Sequence, residues 1–299
     1  MADAEPSAEE ALTKEEIQSA SEAPPAGEKR NPPPPAAHCA SSPTHGSNTQ
    51  TVAALMAPKK KQTPAATPAR SAGGNPFKDR MGLGAYLGDP GAFSASVVIA
   101  HSPDFVVIHD KFPKSTVHTL ILPRSPAANL LHPFDALADP ALLASVKAQV
   151  LRTKALVAAE LQRQLGRFSA SEAARQAVLD GEAEVQEGAE LPRGRDWAAE
   201  VVCGVHAVPS MSHVHVHVLS RDMHSSKVKH RKHYNSFTTP FLVDVEDFPL
   251  AEDDPRRDTK RMGYLQRDLR CWRCGRNFGN KFAQLKEHLE QEFDAWKRE

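Results

Sequence analysis

The sequence predicts an α+β protein: an antiparallel sheet with a helix packed on one face, followed by a small C-terminal unit. Three observations carry this reading. Five short runs rich in Val, Ile or Leu read as strands: Ser96–His101, Phe105–Asp110, Val117–Leu122, Glu200–Val208 and Ser212–Arg221, the last two joined by a turn at Pro209-Ser210. Between them, Pro140–Leu165 repeats Leu142, Val146, Val150, Leu151, Leu156, Leu161 and Leu165 at intervals near three or four, the spacing of a helix face. Residues 256–299 then read as a separate unit built around Cys271 and Cys274.

The flanking segments complete the organisation. Residues 1–75 hold eleven of the 24 prolines and no Phe, Tyr or Trp. Such a segment cannot bury enough apolar surface to offset its ordering entropy, so a disordered arm is expected. Lys59-Lys60-Lys61 within it reads either as a nuclear import signal or as solubilising charge. Order should begin near Asn75-Pro76-Phe77, where Pro76 suits a helix N-terminus and Phe77, Met81, Leu83 and Leu87 give an apolar side. The catalytic domain is expected over 76–245. Within it, residues 169–193 are acidic, Ala-rich and poor in large apolar groups, and read as an inserted surface segment, partly helical or disordered. A basic segment and the small unit follow over 246–299.

Charge and cysteines narrow the class. The 299 residues sum to zero formal charge, but residues 256–281 carry nine Lys or Arg against Asp258 and Asp268. A local excess of that kind favours a polyanionic partner. Four cysteines, two of them the isolated Cys39 and Cys203, make no disulfide framework and fit a reducing compartment. No apolar run is long enough to span a membrane, and the acidic N-terminus lacks the apolar stretch of a secretory signal.

Residues 212–219 read Ser-His-Val-His-Val-His-Val-Leu. On a strand, side chains alternate faces, so His213, His215 and His217 share one face and the valines the other. Imidazole titrates near pH ~6.5, so a neutral ring is available as nucleophile or base. The spacing alone leaves catalysis, a metal site on a strand and an exposed polar face all open.

This run resembles the signature of the histidine-triad (HIT) superfamily of nucleotide hydrolases and transferases. Three flanks sharpen the resemblance to its aprataxin branch: Gly204-Val-His206-Ala-Val-Pro-Ser210-Met-Ser212, Lys229-His-Arg-Lys-His233-Tyr-Asn-Ser-Phe237, and Asp110-Lys-Phe-Pro-Lys114 with His118 beyond. It runs from about residue 76 to 296 and implies a HIT fold that removes AMP from 5′-adenylated DNA left by abortive ligation. By the resemblance, His215 is the nucleophile that forms a covalent nucleotidyl-histidine, splitting one hard displacement into two. His213 and His217 position it and bind phosphate oxygens. His206 stabilises or protonates the leaving DNA phosphate, and Ser210 holds non-bridging oxygens. Lys114 and His233 contact the DNA phosphate, while Lys229 and Lys232 line the groove. The imidazoles carry the charge, so no catalytic metal is implied.

The C-terminal unit reads as a zinc finger. Cys271 and Cys274 stand two residues apart, followed by Phe278, Leu285 and His288 at nearly the spacing of a Cys₂His₂ finger. Where a second His would stand is Glu292, which shares a helix face with His288 at i,i+4 and offers a carboxylate acceptable to zinc. The resemblance to fungal members, whose finger is Cys₂-His-Glu, assigns Glu292 as fourth ligand; otherwise it is surface charge. Zn²⁺ here is structural, placing the basic segment on DNA for affinity rather than sequence. The expected partner is nicked or broken DNA with a 5′-adenylate, the product AMP, and the place of work the nucleus, in single-strand break repair. Vertebrate members also carry a forkhead-associated domain; residues 1–75 are too short and polar for one. Two rivals remain open. One is a small-nucleotide HIT hydrolase acting on dinucleotide polyphosphates or AMP-amines, for which the finger has no use. The other is a non-catalytic zinc-finger DNA-binding protein, against which the intact histidine row stands.

Overall fold

The computed structural model describes residues 80–185 and 188–299. The expectations for the arm at 1–75, including Lys59–Lys61 and Cys39, and for Pro76 and Phe77 concern residues outside these. Among the described residues no helix is long and apolar enough to cross a membrane.

Six strands form one antiparallel sheet: β1 (Val98–His101), β2 (Phe105–His109), β3 (His118–Pro123), β4 (Val201–His206), β5 (Val216–Ser220) and β6 (Leu242–Asp244), in the order β1-β2-β3-β5-β4-β6. All five expected strands are present. The last is shorter than its sequence pattern because the N–H groups of Ser212 and Val214 donate to the carbonyls of Arg80 and Asn129 instead of to a neighbouring strand. His213 and His215 therefore precede the strand, and only His217 lies in it. β6, three residues long, has too little alternation to be read from sequence.

Alternation sorts the two faces of the sheet. Phe105, Val107, Ile121, Val201, Cys203, Val205, Val216 and Val218 belong to the main core. Val106, Ile108, Leu120, Leu122 and Leu219 belong to clusters on the opposite face. The main core is roofed by α1 (Pro140–Leu165), which begins with Pro140 and is capped by Asp139, whose side chain accepts from the Ala141 N–H at 2.9 Å. Its buried stripe is Leu143, Val146, Val150, Thr153, Val157, Leu161 and Leu165. Leu151 and Leu156, expected on that stripe, are 71% and 50% exposed. They sit one position off it, and a step of one residue turns the side chain by about 100° around the helix axis. Each large aliphatic side chain buried here contributes about 1.5–3 kcal/mol.

The acidic stretch after α1 carries a short helix, α2 (Ala173–Leu179), and an anchor the sequence did not show. Glu172 is buried and accepts from Trp197 Nε1 at 2.7 Å and from the Arg195 N–H at 3.1 Å. The N–H groups of Ala170 and Ser171 donate to the carbonyls of Arg298 and Glu299. This end of the stretch is thus tied to the chain's last turn, not merely attached to the surface.

Beyond β5 come α3 (Arg231–Thr238), the two-stranded β7 (Leu269–Arg270) and β8 (Asn277–Gly279), and α4 (Phe282–Trp296). Read from sequence as a separate unit, the finger in fact shares both large cores with the sheet. Leu269, Cys271, Phe278, Leu285 and Leu289 cluster with Leu219, Met223, Tyr234 and Phe237. Trp296, 1% exposed, belongs to the main core beside Trp197, and its Nε1 donates to Glu200 at 2.8 Å. Tyr234 pins the junction: its hydroxyl donates to the Arg270 carbonyl and accepts from the Trp272 N–H, both at 2.9 Å.

Candidate active site

The face of the sheet opposite α1 holds a cavity of about 690 Å³ including its mouth, lined by Lys114, His206, Ser210, His215, His217 and Phe237 among others. His217 arrives from the centre of the sheet, paired with Leu120 on β3 and Gly204 on β4. Gly204 is required by the packing of β6: a Cβ there would lie 2.6 Å from the Val243 carbonyl oxygen. His206 comes from the end of β4, its ring 4.4 Å from that of His217 and 4.6 Å from Phe237.

Two hydrogen bonds fix tautomers. His215 Nδ1 lies 2.7 Å from the carbonyl oxygen of His213. A carbonyl only accepts, so Nδ1 carries the proton and Nε2 of a neutral ring holds the lone pair. His118, at the start of β3, accepts the Lys114 N–H on Nδ1 at 3.1 Å, which places its own proton on Nε2. That nitrogen is 3.0 Å from His217 Nδ1 and 3.4 Å from Asp110 Oδ2. His217 Nδ1 therefore accepts, and its Nε2 bears the proton. Nε2 is buried with no hydrogen-bond partner among the described residues. Burial first, then the neighbouring His206, His215, His118 and Lys114, holds the pKa of His217 well below its ordinary value, so the ring is neutral.

The remaining sequence candidates fall into two groups. Lys114 is buried and lines the cavity, its Nζ donating to the Phe112 carbonyl at 2.9 Å; Ser210 lines it too. His213 is absent from the lining: its ring lies against Gly84, where a Cβ would approach to 2.7 Å, and its contribution is the carbonyl that orients His215. Burial, and secondarily His215, lowers its pKa. His233 is buried in α3, accepts the Lys229 N–H on Nδ1 at 3.3 Å and lies with its ring 3.6 Å from that of His230, tilted to it; neither His233 nor Lys229 lines the cavity. The sequence pattern alone gives His118 and Asp110 no role. Their signal is the alternation of β3, which puts His118 and Leu120 on the cavity face, but contact with His217, 99 positions away, is a tertiary fact.

In the finger, one donor atom each of Cys271, Cys274, His288 and Glu292 lies within 4.8 Å of all the others. Cys274 Sγ and Glu292 Oε1 each lie 3.1 Å from His288 Nε2. Separations of this order are those between ligands about 2.0–2.3 Å from one tetrahedral ion, so the donor set fits zinc. The basic segment is partly spent internally. Arg256 pairs with Asp254 at 2.7 Å and with Asp247, Arg257 donates to the Leu250 and Ala251 carbonyls, and Arg273 pairs with Glu292 and Glu299. Lys260, Arg261, Arg267, Arg270, Arg276 and Lys281 are exposed and take part in none of these pairs.

Residues 93–224 match the model of the HIT domain, and residues 238–295 that of the C2HE / C2H2 / C2HC zinc-binding finger. The aprataxin-like protein of Saccharomyces cerevisiae is 33% identical over 220 residues, 72% of this chain and 96% of that protein. The aprataxin-like protein of Schizosaccharomyces pombe is 31% identical over 220 residues, 74% of this chain and 83% of its own length. A crystal structure of the aprataxin ortholog Hnt3 in complex with DNA superposes with a TM-score of 0.56 at 28% identity, covering 73% of this chain and 96% of that one. At that identity, and over nearly the full length of the yeast relative, the chain belongs to the aprataxin-like family of HIT hydrolases with a C-terminal zinc-binding finger.

Proposed function

We propose that the protein hydrolyses the adenylate from 5′-adenylated DNA ends in single-strand break repair, through a covalent His215–AMP intermediate. The observation that carries this is the 2.7 Å bond from His215 Nδ1 to the His213 carbonyl, which leaves the lone pair on Nε2 of a ring that lines the cavity. Nε2 attacks the α-phosphorus of the adenylate, and the bond to the DNA 5′-phosphate breaks. The electron pair goes to the departing phosphate oxygen, where His206 donates a proton or stabilises the charge. Water then attacks the same phosphorus, AMP leaves, and His215 recovers its neutral ring.

The neutral His217 supplies its Nε2 proton to a non-bridging oxygen, with Ser210 as a second donor. A donor fixed in advance is worth more than one that must turn as charge develops. Asp110, His118 and His217 are close enough to hold a cation, but the His118 proton already links two of them, so in this reading the imidazoles and Lys114 do the work without metal. Zinc in the finger is structural, and the exposed Arg267, Arg270 and Arg276 bind duplex phosphates. The solved complex of the ortholog Hnt3 with DNA supports a DNA substrate. Such a substrate and the Lys59–Lys61 run support a nuclear place of work; AMP is the released product.

The test is incubation with a 5′-adenylated nicked duplex and, separately, with a dinucleotide polyphosphate. The account expects efficient conversion of the nick to a 5′-phosphate and slow turnover of the free nucleotide. The reverse order would make this a small-nucleotide hydrolase. In the same assay His118→Ala is expected to slow AMP release by roughly 10²-fold, the loss typical of one preorganised donor, because His217 then lacks the partner that fixes its proton on Nε2. DNA affinity should stay near wild type. Unchanged single-turnover rates would remove His118 from the positioning of His217.

A further inference from the structure

The two oxygens of the Glu292 carboxylate have different neighbours. Oε1 turns to His288, 3.1 Å from Nε2, within the ligand cluster. Oε2 turns away and accepts from Arg273 Nη1 at 2.6 Å. The other terminal nitrogen of Arg273 donates to the side chain of Glu299, and the Glu299 backbone carbonyl is itself held by the N–H of Ser171 at 2.9 Å. The guanidinium is thus clamped from behind, and its planar fork spans two carboxylates at once. Arg273 also precedes Cys274 in the chain, so its backbone is fixed by the metal-binding turn that its side chain serves.

The chemistry of the donor set says why a cation belongs there. Two thiolates and two neutral imidazoles around Zn²⁺ make a neutral centre; replacing one imidazole by a carboxylate leaves one net negative charge. A carboxylate can also swing to offer both oxygens, which an imidazole cannot. An arginine held on the outer oxygen answers both problems: it compensates the charge and keeps Oε1 alone facing the metal. We infer that Arg273 is the positioning residue for Glu292 in the zinc shell, the partner that lets a carboxylate stand where a second histidine would otherwise be. The inference rests on the zinc reading of the finger. It adds a link from the metal centre through Glu299 to the segment that begins at Ser171.

The experiment measures zinc affinity of the full-length protein by competition with a chromogenic chelator, alongside zinc content and thermal melting. Arg273→Ala and Arg273→Gln should each weaken zinc binding by about 10- to 100-fold, the range for an outer-shell partner. Arg273→Lys, which keeps charge but not the fork, should fall between. In a Glu292→His background, Arg273→Ala should leave affinity unchanged, because an imidazole needs neither compensation nor restraint. An equal loss in both backgrounds would show that Arg273 acts only by packing the C-terminus and would overturn the proposal. So would no loss in the native background while Glu292→Ala releases zinc. If Glu292→Ala itself binds zinc as tightly as wild type, the ligand reading fails first and the role of Arg273 with it.

Discussion

Replacing His215 with alanine is expected to lower the rate of AMP release from an adenylated nick by about 10⁴-fold or more, the scale seen when a covalent nucleophile is removed. That is roughly 5.5 kcal/mol of lost transition-state stabilisation. Residual turnover would come from His217, Ser210 and Lys114 acting on a misplaced water. Binding should be nearly intact, since in the proposed reading phosphate contacts on the finger carry affinity. Folding should also survive, because the ring lines the cavity rather than the apolar interior. The measurements are single-turnover kinetics, DNA affinity by fluorescence anisotropy, and a thermal melt. Turnover near wild type with intact binding would remove His215 as nucleophile.

The second large effect concerns the finger. Cys271→Ser is expected to abolish zinc binding and to lower the melting temperature of the whole protein, not of the finger alone. Cys271 is 3% exposed, and its cluster includes Leu269, Leu285 and Leu289 together with Leu219, Met223 and Tyr234 of the catalytic part. The helix that carries His288 and Glu292 ends on Trp296, inside the main core. Loosening the metal centre therefore withdraws support from both faces of the sheet. A loss of several kcal/mol would shift the midpoint by on the order of 10 °C for a domain of this size. Calorimetry of the zinc-loaded wild type and the variant decides the point. Two independent transitions, with the larger one unmoved, would mean that the finger melts alone.

How much of this was legible in the sequence depends on the range of the interaction. The alternation of Val216, His217 and Val218 placed one histidine and two core valines correctly, because a strand's period is local. The same pattern could not show that His213 and His215 lie before the strand, since that is set by hydrogen bonds to Arg80 and Asn129. Helix α1 was legible in extent, but its buried stripe ran through Leu143 and Val157 rather than Leu151 and Leu156. Several apolar residues off the stripe widened the pattern, and only packing chooses among them. Cys271, Cys274 and His288 were legible as candidate donors because their spacing is local; Glu292 rested on the resemblance, and the structure brings its carboxylate within 4.8 Å of the other three donor atoms. The docking of the finger was not legible: it rests on Tyr234, Trp197, Trp272 and Trp296 meeting across long stretches of chain. Nor was the proton chain from Lys114 through His118 to His217, which exists only once β3 and β5 pair.

The central claim is that AMP passes through a covalent bond to His215, and the most direct measurement looks for that bond. Enzyme in excess over a 5′-adenylated nick is quenched in alkali, in which a phosphoramidate survives, and digested for peptide mass spectrometry. The account predicts one adenylyl group on the peptide that contains His215, localised to that residue by fragmentation, rising and decaying within a single turnover and absent from His215→Ala. Complete conversion of the nick with no adenylylated histidine at any time point would contradict it, and so would an adduct on His206 or His217 in its place.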